Sequence, residues 1–96
     1  MTVQETVTLK VAGGSNVKGL AGSIAKCIEE GKNVELLSIG ASAVNQAVKG
    51  VALARGYLAS NGRDLYLAPG FDNVMLPCVN GVQEERTAIR FILKII

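Results

Sequence analysis

At 96 residues, the chain has room for one domain, residues 1–96, with a single small core that partner subunits would help to stabilise. Ten Lys and Arg against eight Asp and Glu give a net charge of +2, which permits contact with nucleic acid but excludes a strongly basic electrostatic binder. Hydrophobic residues make up 49% and charged residues only 19%, so the apolar surplus predicts a buried subunit interface.

The two cysteines, Cys27 and Cys78, lie far apart, and the chain has no histidine. These residues make neither a disulfide framework nor a metal-binding pattern, so we expect no metal and no cofactor. No signal sequence or membrane-spanning apolar run is found, which predicts a soluble cytoplasmic protein without a membrane partner.

The first half of the chain alternates strand and helix patterns. Residues 3–11 have the period of a half-buried strand, and Gly13-Gly14 interrupts it. Ser15 or Asn16 is then positioned to cap a helix whose apolar residues recur until Gly31. Residues 34–39 predict a more continuously apolar, central strand that ends at Gly40.

A second helix follows, with Ser42 as the N-cap candidate and Asn61-Gly62 at its end. Residues 64–68 and 86–96 predict the third and fourth strands. Pro69-Gly70, Pro77 and Asn80-Gly81 interrupt any regular pattern between them, which predicts a long excursion or an extended hairpin.

The predicted order is therefore β-α-β-α-β-β. Helices that alternate with strands and then give way to a hairpin favour an α+β fold. We expect a two-layer sandwich in which a mixed four-stranded sheet carries both helices on one face.

The start of the second helix is the candidate functional site. The first amide groups of a helix lack intrahelical partners and carry the positive end of its dipole, so phosphates and carboxylates bind there. If the first two strands are parallel and adjacent, the first helix begins beside the second. The predicted nucleic-acid-binding residues are Lys18, Ser42, Asn45, Gln46 and Lys49.

Other motifs favour structural roles. Ser15 and Lys18 match the S-x-x-K pattern of penicillin-binding enzymes, but the companion S-D-N and K-T-G motifs are missing. The glycines up to Gly19 lack the Lys-Ser/Thr ending of a phosphate loop. Without histidine, a metal cluster or an activated nucleophile, the sequence predicts a protein that is not an enzyme.

The segments IGASAVNQAVKGVALARGYLASNGRDL and EERTAIRFIL resemble the stage V sporulation protein S family of bacteria. The resemblance covers nearly the whole chain. That family is similar in fold to the Alba proteins, small β-α-β-α-β-β domains that dimerise and bind DNA or RNA through helix N-termini and a hairpin arm. The resemblance implies an Alba-like fold, a homodimer or higher homo-oligomer, and a regulatory role linked to sporulation.

The sequence departs from the basic Alba pattern at two places. The turn into the second helix is neutral, and residues 69–85 contain no Lys or Arg but include Asp72, Glu84 and Glu85. Because phosphate neutralisation supplies most nonspecific affinity, these departures predict weak binding that relies on amide groups and few lysines. Phe71 and Tyr57 are candidate base-stacking groups, with Phe71 alternatively a loop anchor.

Two hypotheses remain from different classes. The first is a dimeric, non-enzymatic nucleic-acid-binding regulatory protein. The second is an oligomeric protein-interaction module whose apolar surplus and acidic arm serve assembly. Small-molecule binding at the glycine-rich corner is a third alternative without a ligand-specific feature.

Overall fold

The computed structural model describes residues 4–77 and 81–96. Four strands and two helices follow one another as β1 (Thr6–Val11), α1 (Val17–Glu29), β2 (Asn33–Ser38), α2 (Ala41–Ala59), β3 (Leu65–Pro77) and β4 (Gln83–Ile95). This is the predicted β-α-β-α-β-β order. Among these described residues, neither helix is long and apolar enough to cross a membrane.

The strands form one mixed sheet in the order β1-β2-β4-β3. β1 and β2 are parallel, whereas β4 runs antiparallel to both β2 and β3. β2 is an interior strand, as its continuous apolar sequence predicted. The predicted α+β sandwich is confirmed, and β1 and β3 form its two edges.

The core lies between one face of the sheet and the helices. Leu9, Leu36 and Phe91 are aligned across β1, β2 and β4 and pack in the cluster that includes Ile24 of α1 and Leu58 of α2. The inward positions alternate along each strand, because successive side chains of a strand point to opposite faces. Ile89, Phe91 and Leu93 of β4 therefore share the inward face.

The opposite face of the sheet, the open face, is fastened by Arg90 of β4. Its guanidinium donates to Glu35 Oε1 of β2 at 3.0 Å and to Asp72 Oδ2 of β3 at 2.9 Å. One side chain thus joins three strands. The hydrogen bonds from Arg90 and from the Asn73 amide lower the pKa of Asp72.

The start of α1 matches one of the two predicted caps. Asn16 is the N-cap, and its side chain accepts a hydrogen bond from the Gly19 amide at 2.8 Å. Ser15 closes the preceding turn instead, since its Oγ accepts from the Ala12 amide. Gly31, with φ of +79°, ends the helix as predicted.

The predicted N-cap of α2 was wrong. The cap is Gly40, and Ser42 is the second residue of the helix. Gly40 has φ of +91°, a conformation that glycine adopts without steric cost, so the chain enters the helix two residues before Ser42. At the other end of α2, Gly62 takes the positive φ expected of the predicted Asn61-Gly62 ending.

The last two strands are longer than predicted. β3 continues through Pro69-Gly70 to Pro77, and β4 begins at Gln83, so the extended-hairpin alternative is the one that forms. Pro69 is tolerated because β3 is an edge strand, where a missing N–H need not break the ladder. The predicted start of β1 at Val3 lies outside the described residues.

Candidate functional site

The two helices begin at the same end of the molecule. Because β1 and β2 are parallel and each leads into a helix, the N-termini of α1 and α2 both lie beyond the carboxyl ends of these two strands. A hydrogen bond links α2 to the turn before α1, since Gln46 Nε2 donates to the Ser15 carbonyl at 2.8 Å. The same turn also approaches α2 at Gly13, where an added Cβ would lie only 2.8 Å from Ser42 Cβ. We call residues 12–18 and 40–49 the N-terminal corner.

The N-terminal corner presents backbone donors without competing carboxylates. Neither helix has an acidic residue in its first turn, and Gly40 offers α2 no side-chain cap. The first hydrogen bond of α2 runs from the Val44 amide to the Gly40 carbonyl, so the helix itself gives the Ala41, Ser42 and Ala43 amides no acceptor. These donors and the helix dipole favour an anion.

The five predicted site residues have different surroundings. Gln46 is half-buried and holds the turn before α1, so its amide is already engaged. Ser42, Asn45, Lys18 and Lys49 are exposed. Asn45 and Lys49 are four residues apart and therefore share one face of α2. The structure thus groups Ser42 and Gln46 with the turn that precedes Lys18, while Gln46 acts as a positioning residue.

Lys10 is a further cation that the sequence analysis did not single out. It is the penultimate residue of β1, so its side chain lies where the strand meets the N-terminal corner. Together with Ser15, Asn16 and Gly19, it lines a shallow cavity of about 410 Å³ beside the first turn of α1. Its position next to the carboxyl end of a parallel strand is the sequence signal that identifies it.

Three cations elsewhere in the fold are engaged by acids, whereas in the part of the chain that the structure describes no ion pair involves Lys26, Arg63, Arg86 or Lys94. Lys32 lies near Glu5 and Glu30, and Arg55 and Arg90 bind carboxylates directly. Among the described residues, no ion pair involves Lys10, Lys18 or Lys49. These three ammonium groups therefore remain available to an external anion.

The candidate stacking groups are not brought to the N-terminal corner. Tyr57 follows Asn45 by twelve residues in α2, which places it about 18 Å further along the helix axis. Phe71 lies in β3, and its 86% exposure is incompatible with the alternative role of a loop anchor. The aromatic groups therefore belong to other surfaces than the lysines.

A second surface runs along the outer edge of the sheet, where β3 faces α2. Val48 and Ile96 are 46% and 74% exposed, and they flank a cleft of about 490 Å³ that also contacts Leu65 and Leu67. The exposed ring of Phe71 continues this surface along β3. We call Val48, Ala52, Leu67, Phe71 and Ile96 the apolar edge patch. The Arg55–Asp64 ion pair lies at its margin.

Comparison with known proteins agrees with this architecture. The structure of Alba from Thermoplasma volcanium superposes with a TM-score of 0.67 over 92% of this chain and 99% of the Alba chain, at 13% sequence identity. At that identity the likeness establishes an Alba-like fold. The model of the stage V sporulation protein S family matches residues 7–96. The chain therefore belongs to the stage V sporulation protein S family.

Proposed function

We propose that this protein is a dimeric, non-enzymatic nucleic-acid-binding regulator. The observation that carries the proposal is the N-terminal corner, where two helix N-termini meet beside Lys10, Lys18 and Lys49 with no acid in either first turn. Family membership supports a regulatory role linked to sporulation. We place the protein in the bacterial cytoplasm on the same basis.

The proposed binding mode is contact with the phosphate backbone. Lys18 and Lys49 neutralise phosphates, and the Ser42 hydroxyl and the first amides of α2 donate hydrogen bonds to phosphate oxygens. Asn45 adds a further donor from the exposed face of α2. Such contacts fix orientation but carry no base sequence information, so we expect weak, sequence-tolerant binding.

The hairpin of β3 and β4 contributes little attraction to phosphates. Asp72 is already bound by Arg90, Glu85 is exposed, and Arg86 supplies one cation. This balance differs from the basic arm that the Alba resemblance implies. We therefore assign the main nucleic-acid contacts to the helix N-termini.

Charge reversal at the site tests this function. Lys18→Glu with Lys49→Glu should weaken binding of a labelled oligonucleotide by at least about tenfold at 50 mM salt, because two phosphate contacts become repulsive. The measurement is fluorescence anisotropy, with the melting temperature of each variant recorded to confirm folding.

The matched control is Lys26→Glu with Lys94→Glu. These lysines lie in the last turn of α1 and near the end of β4, away from the N-terminal corner. Both double variants change the net charge from +2 to −2, since each reversal removes two units. Equal losses in the two variants, or unchanged binding by the first, would contradict the assigned site.

The apolar edge patch favours a second candidate, an oligomeric protein-interaction module. Exposed apolar patches of this kind mark association surfaces, and among the described residues no strand pairs with the outer edge of β3. Retained self-association together with the absence of oligonucleotide binding would favour this candidate. Both candidate functions require self-association. They differ in whether the N-terminal corner binds nucleic acid.

A further inference from the structure

A groove on the open face of the sheet adjoins the N-terminal corner at Ala12 and Gly13 and is separate from the apolar edge patch. The hairpin turns toward the ends of β1 and β2, and Val74, Met75 and Leu76 lie opposite Leu37 and Ile39 across a cavity of about 380 Å³. Lys10 lies at its margin. The helices α1 and α2 pack on the opposite face, and the hairpin forms one wall of the groove.

The groove has an apolar interior. Val74 and Leu76 alternate with Met75 along β3 and lie on the same side of the sheet as Leu37. Leu37, Ile39, Val74 and Leu76 are half-buried, whereas Met75 is exposed. Ala88 of β4, on the same side, is only 1% exposed, which shows how closely the chain covers this part of the sheet. An apolar group that enters would be removed from water.

The charges around the groove favour an anion. Among the described residues that line it, Lys10 carries the only charge. Two acids on the same side of the sheet, Glu35 and Asp72, are both held by Arg90, at 3.0 Å and 2.7 Å. On the hairpin, Arg86 and Glu84 of β4 are aligned with Val74 and Leu76, so they bring one charge of each sign to this end of the groove. Lys10 is aligned with Leu37 in the sheet, so its ammonium group is tethered beside the apolar wall.

We propose that this groove binds a small organic anion with an apolar body, of the size of a medium-chain carboxylate. The hydrocarbon part would lie between Leu37, Val74 and Leu76, and the carboxylate would pair with Lys10. Small-molecule sites combine these features, an apolar concave wall with few charged groups that fix orientation. This inference does not depend on the proposed nucleic-acid function.

The test is an NMR titration of the uniformly ¹⁵N-labelled protein with octanoate and, separately, with octan-1-ol at pH 7. We expect saturable amide shifts confined to the groove, with an octanoate Kd on the order of 1 mM and weaker binding of the alcohol. Lys10→Gln should weaken octanoate binding about threefold to tenfold and leave octan-1-ol unchanged. Val74→Ser should weaken both ligands.

Lys94→Gln is the matched control, because Lys94 is exposed on the same side of the sheet at its opposite end. It should leave octanoate affinity unchanged. Shifts centred on the apolar edge patch, or equal octanoate affinity in the wild type and Lys10→Gln, would overturn the proposal. Amide shifts of groove residues that change with protein concentration in the absence of ligand would also overturn it, since a second copy of the chain would then occupy the groove.

Discussion

Gln46 is the residue that joins the two helix N-termini. Its Nε2 donates to the Ser15 carbonyl across 31 positions of sequence, and its half-buried position leaves little room for water to replace that bond. We expect Gln46→Ala to lower the free energy of unfolding by about 1 kcal/mol, the usual cost of losing one such hydrogen bond. Urea unfolding measures the change.

The neighbouring Asn45→Ala is the matched control. Asn45 is exposed and makes only a 3.4 Å contact with Gln46, so its removal should change stability by less than about 0.5 kcal/mol. Equal losses in the two variants would show that Gln46 does not position the turn before α1.

The ion pair between Asp64 and Arg55 makes the stability of the fold depend on pH. Hydrogen bonds from Arg55 and from the Leu65 amide lower the pKa of Asp64 to about 2. An unfolded Asp has a pKa of about 3.9, so this carboxylate stabilises the fold above that pH. The contribution is lost as pH falls from about 4 through about 2, because protonation then favours the unfolded chain.

We therefore expect Asp64→Asn to lower the melting temperature at pH 7, with a difference from the wild type that narrows as the pH approaches 2. Glu85→Gln, at an exposed carboxylate in the hairpin, should have little effect. Thermal unfolding followed by circular dichroism across pH 2–7 checks both variants. A pH-independent difference for Asp64→Asn would contradict an ionic origin.

At the scale of elements, the two helices pack closely because one of them lacks a side chain at their contact. A Cβ built on Gly50 would lie 2.6 Å from Leu20 Cδ2 and 2.9 Å from Leu20 Cγ. The surface that approaches Gly50 closely is therefore α1 of the same chain.

Gly50→Ala should therefore destabilise the protein by about 1 kcal/mol. Overpacking costs about 1–3 kcal/mol, which exceeds the gain of up to about 1 kcal/mol from replacing glycine inside a helix. Gly56→Ala, in the same helix with open space around the new Cβ, should stabilise by about 0.5–1 kcal/mol. Chemical unfolding measures both variants. A lower free energy of unfolding for Gly50→Ala and a higher one for Gly56→Ala would confirm the packing, whereas a higher free energy of unfolding in both variants would contradict it.

The element order and the inward faces were predictable because apolar residues recur with a period of two in the strands and of 3.6 in the helices. The extent of β3 was not, since Pro69 and Gly70 are local breakers whose tolerance depends on an edge position that only the sheet order reveals. The helix N-cap at Gly40 was missed for a related reason. Its positive φ replaces the side-chain cap that the sequence pattern at Ser42 suggested.

For the whole molecule, the apolar edge patch predicts self-association. An uncovered edge strand with exposed apolar side chains is prone to pair with another chain, and a defined dimer would cover it. We expect twice the chain mass by sedimentation at micromolar concentration, and the chain mass for Val48→Glu with Phe71→Ser. Val82→Glu, an exposed apolar residue before β4, should leave the dimer intact. A wild-type monomer would contradict this interface.

The sequence located the N-terminal corner but could not assign its parts. Parallel strands followed by helices bring Lys18, Ser42 and Gln46 to one end, as their order along the chain suggested. The engagement of Gln46 by Ser15 depends on a contact between distant segments, which no local pattern specifies. Whether Lys18, Ser42, Asn45, Gln46 and Lys49 form the binding site stays a prediction.

The most direct test of phosphate binding at the N-terminal corner is an anisotropy titration of single- and double-stranded DNA and RNA at about 50 and 200 mM salt. Two or three phosphate contacts predict saturable binding that weakens about tenfold to fortyfold at the higher salt concentration. No binding to any of the four nucleic acids at the lower concentration would contradict the proposed function and leave the protein-interaction role.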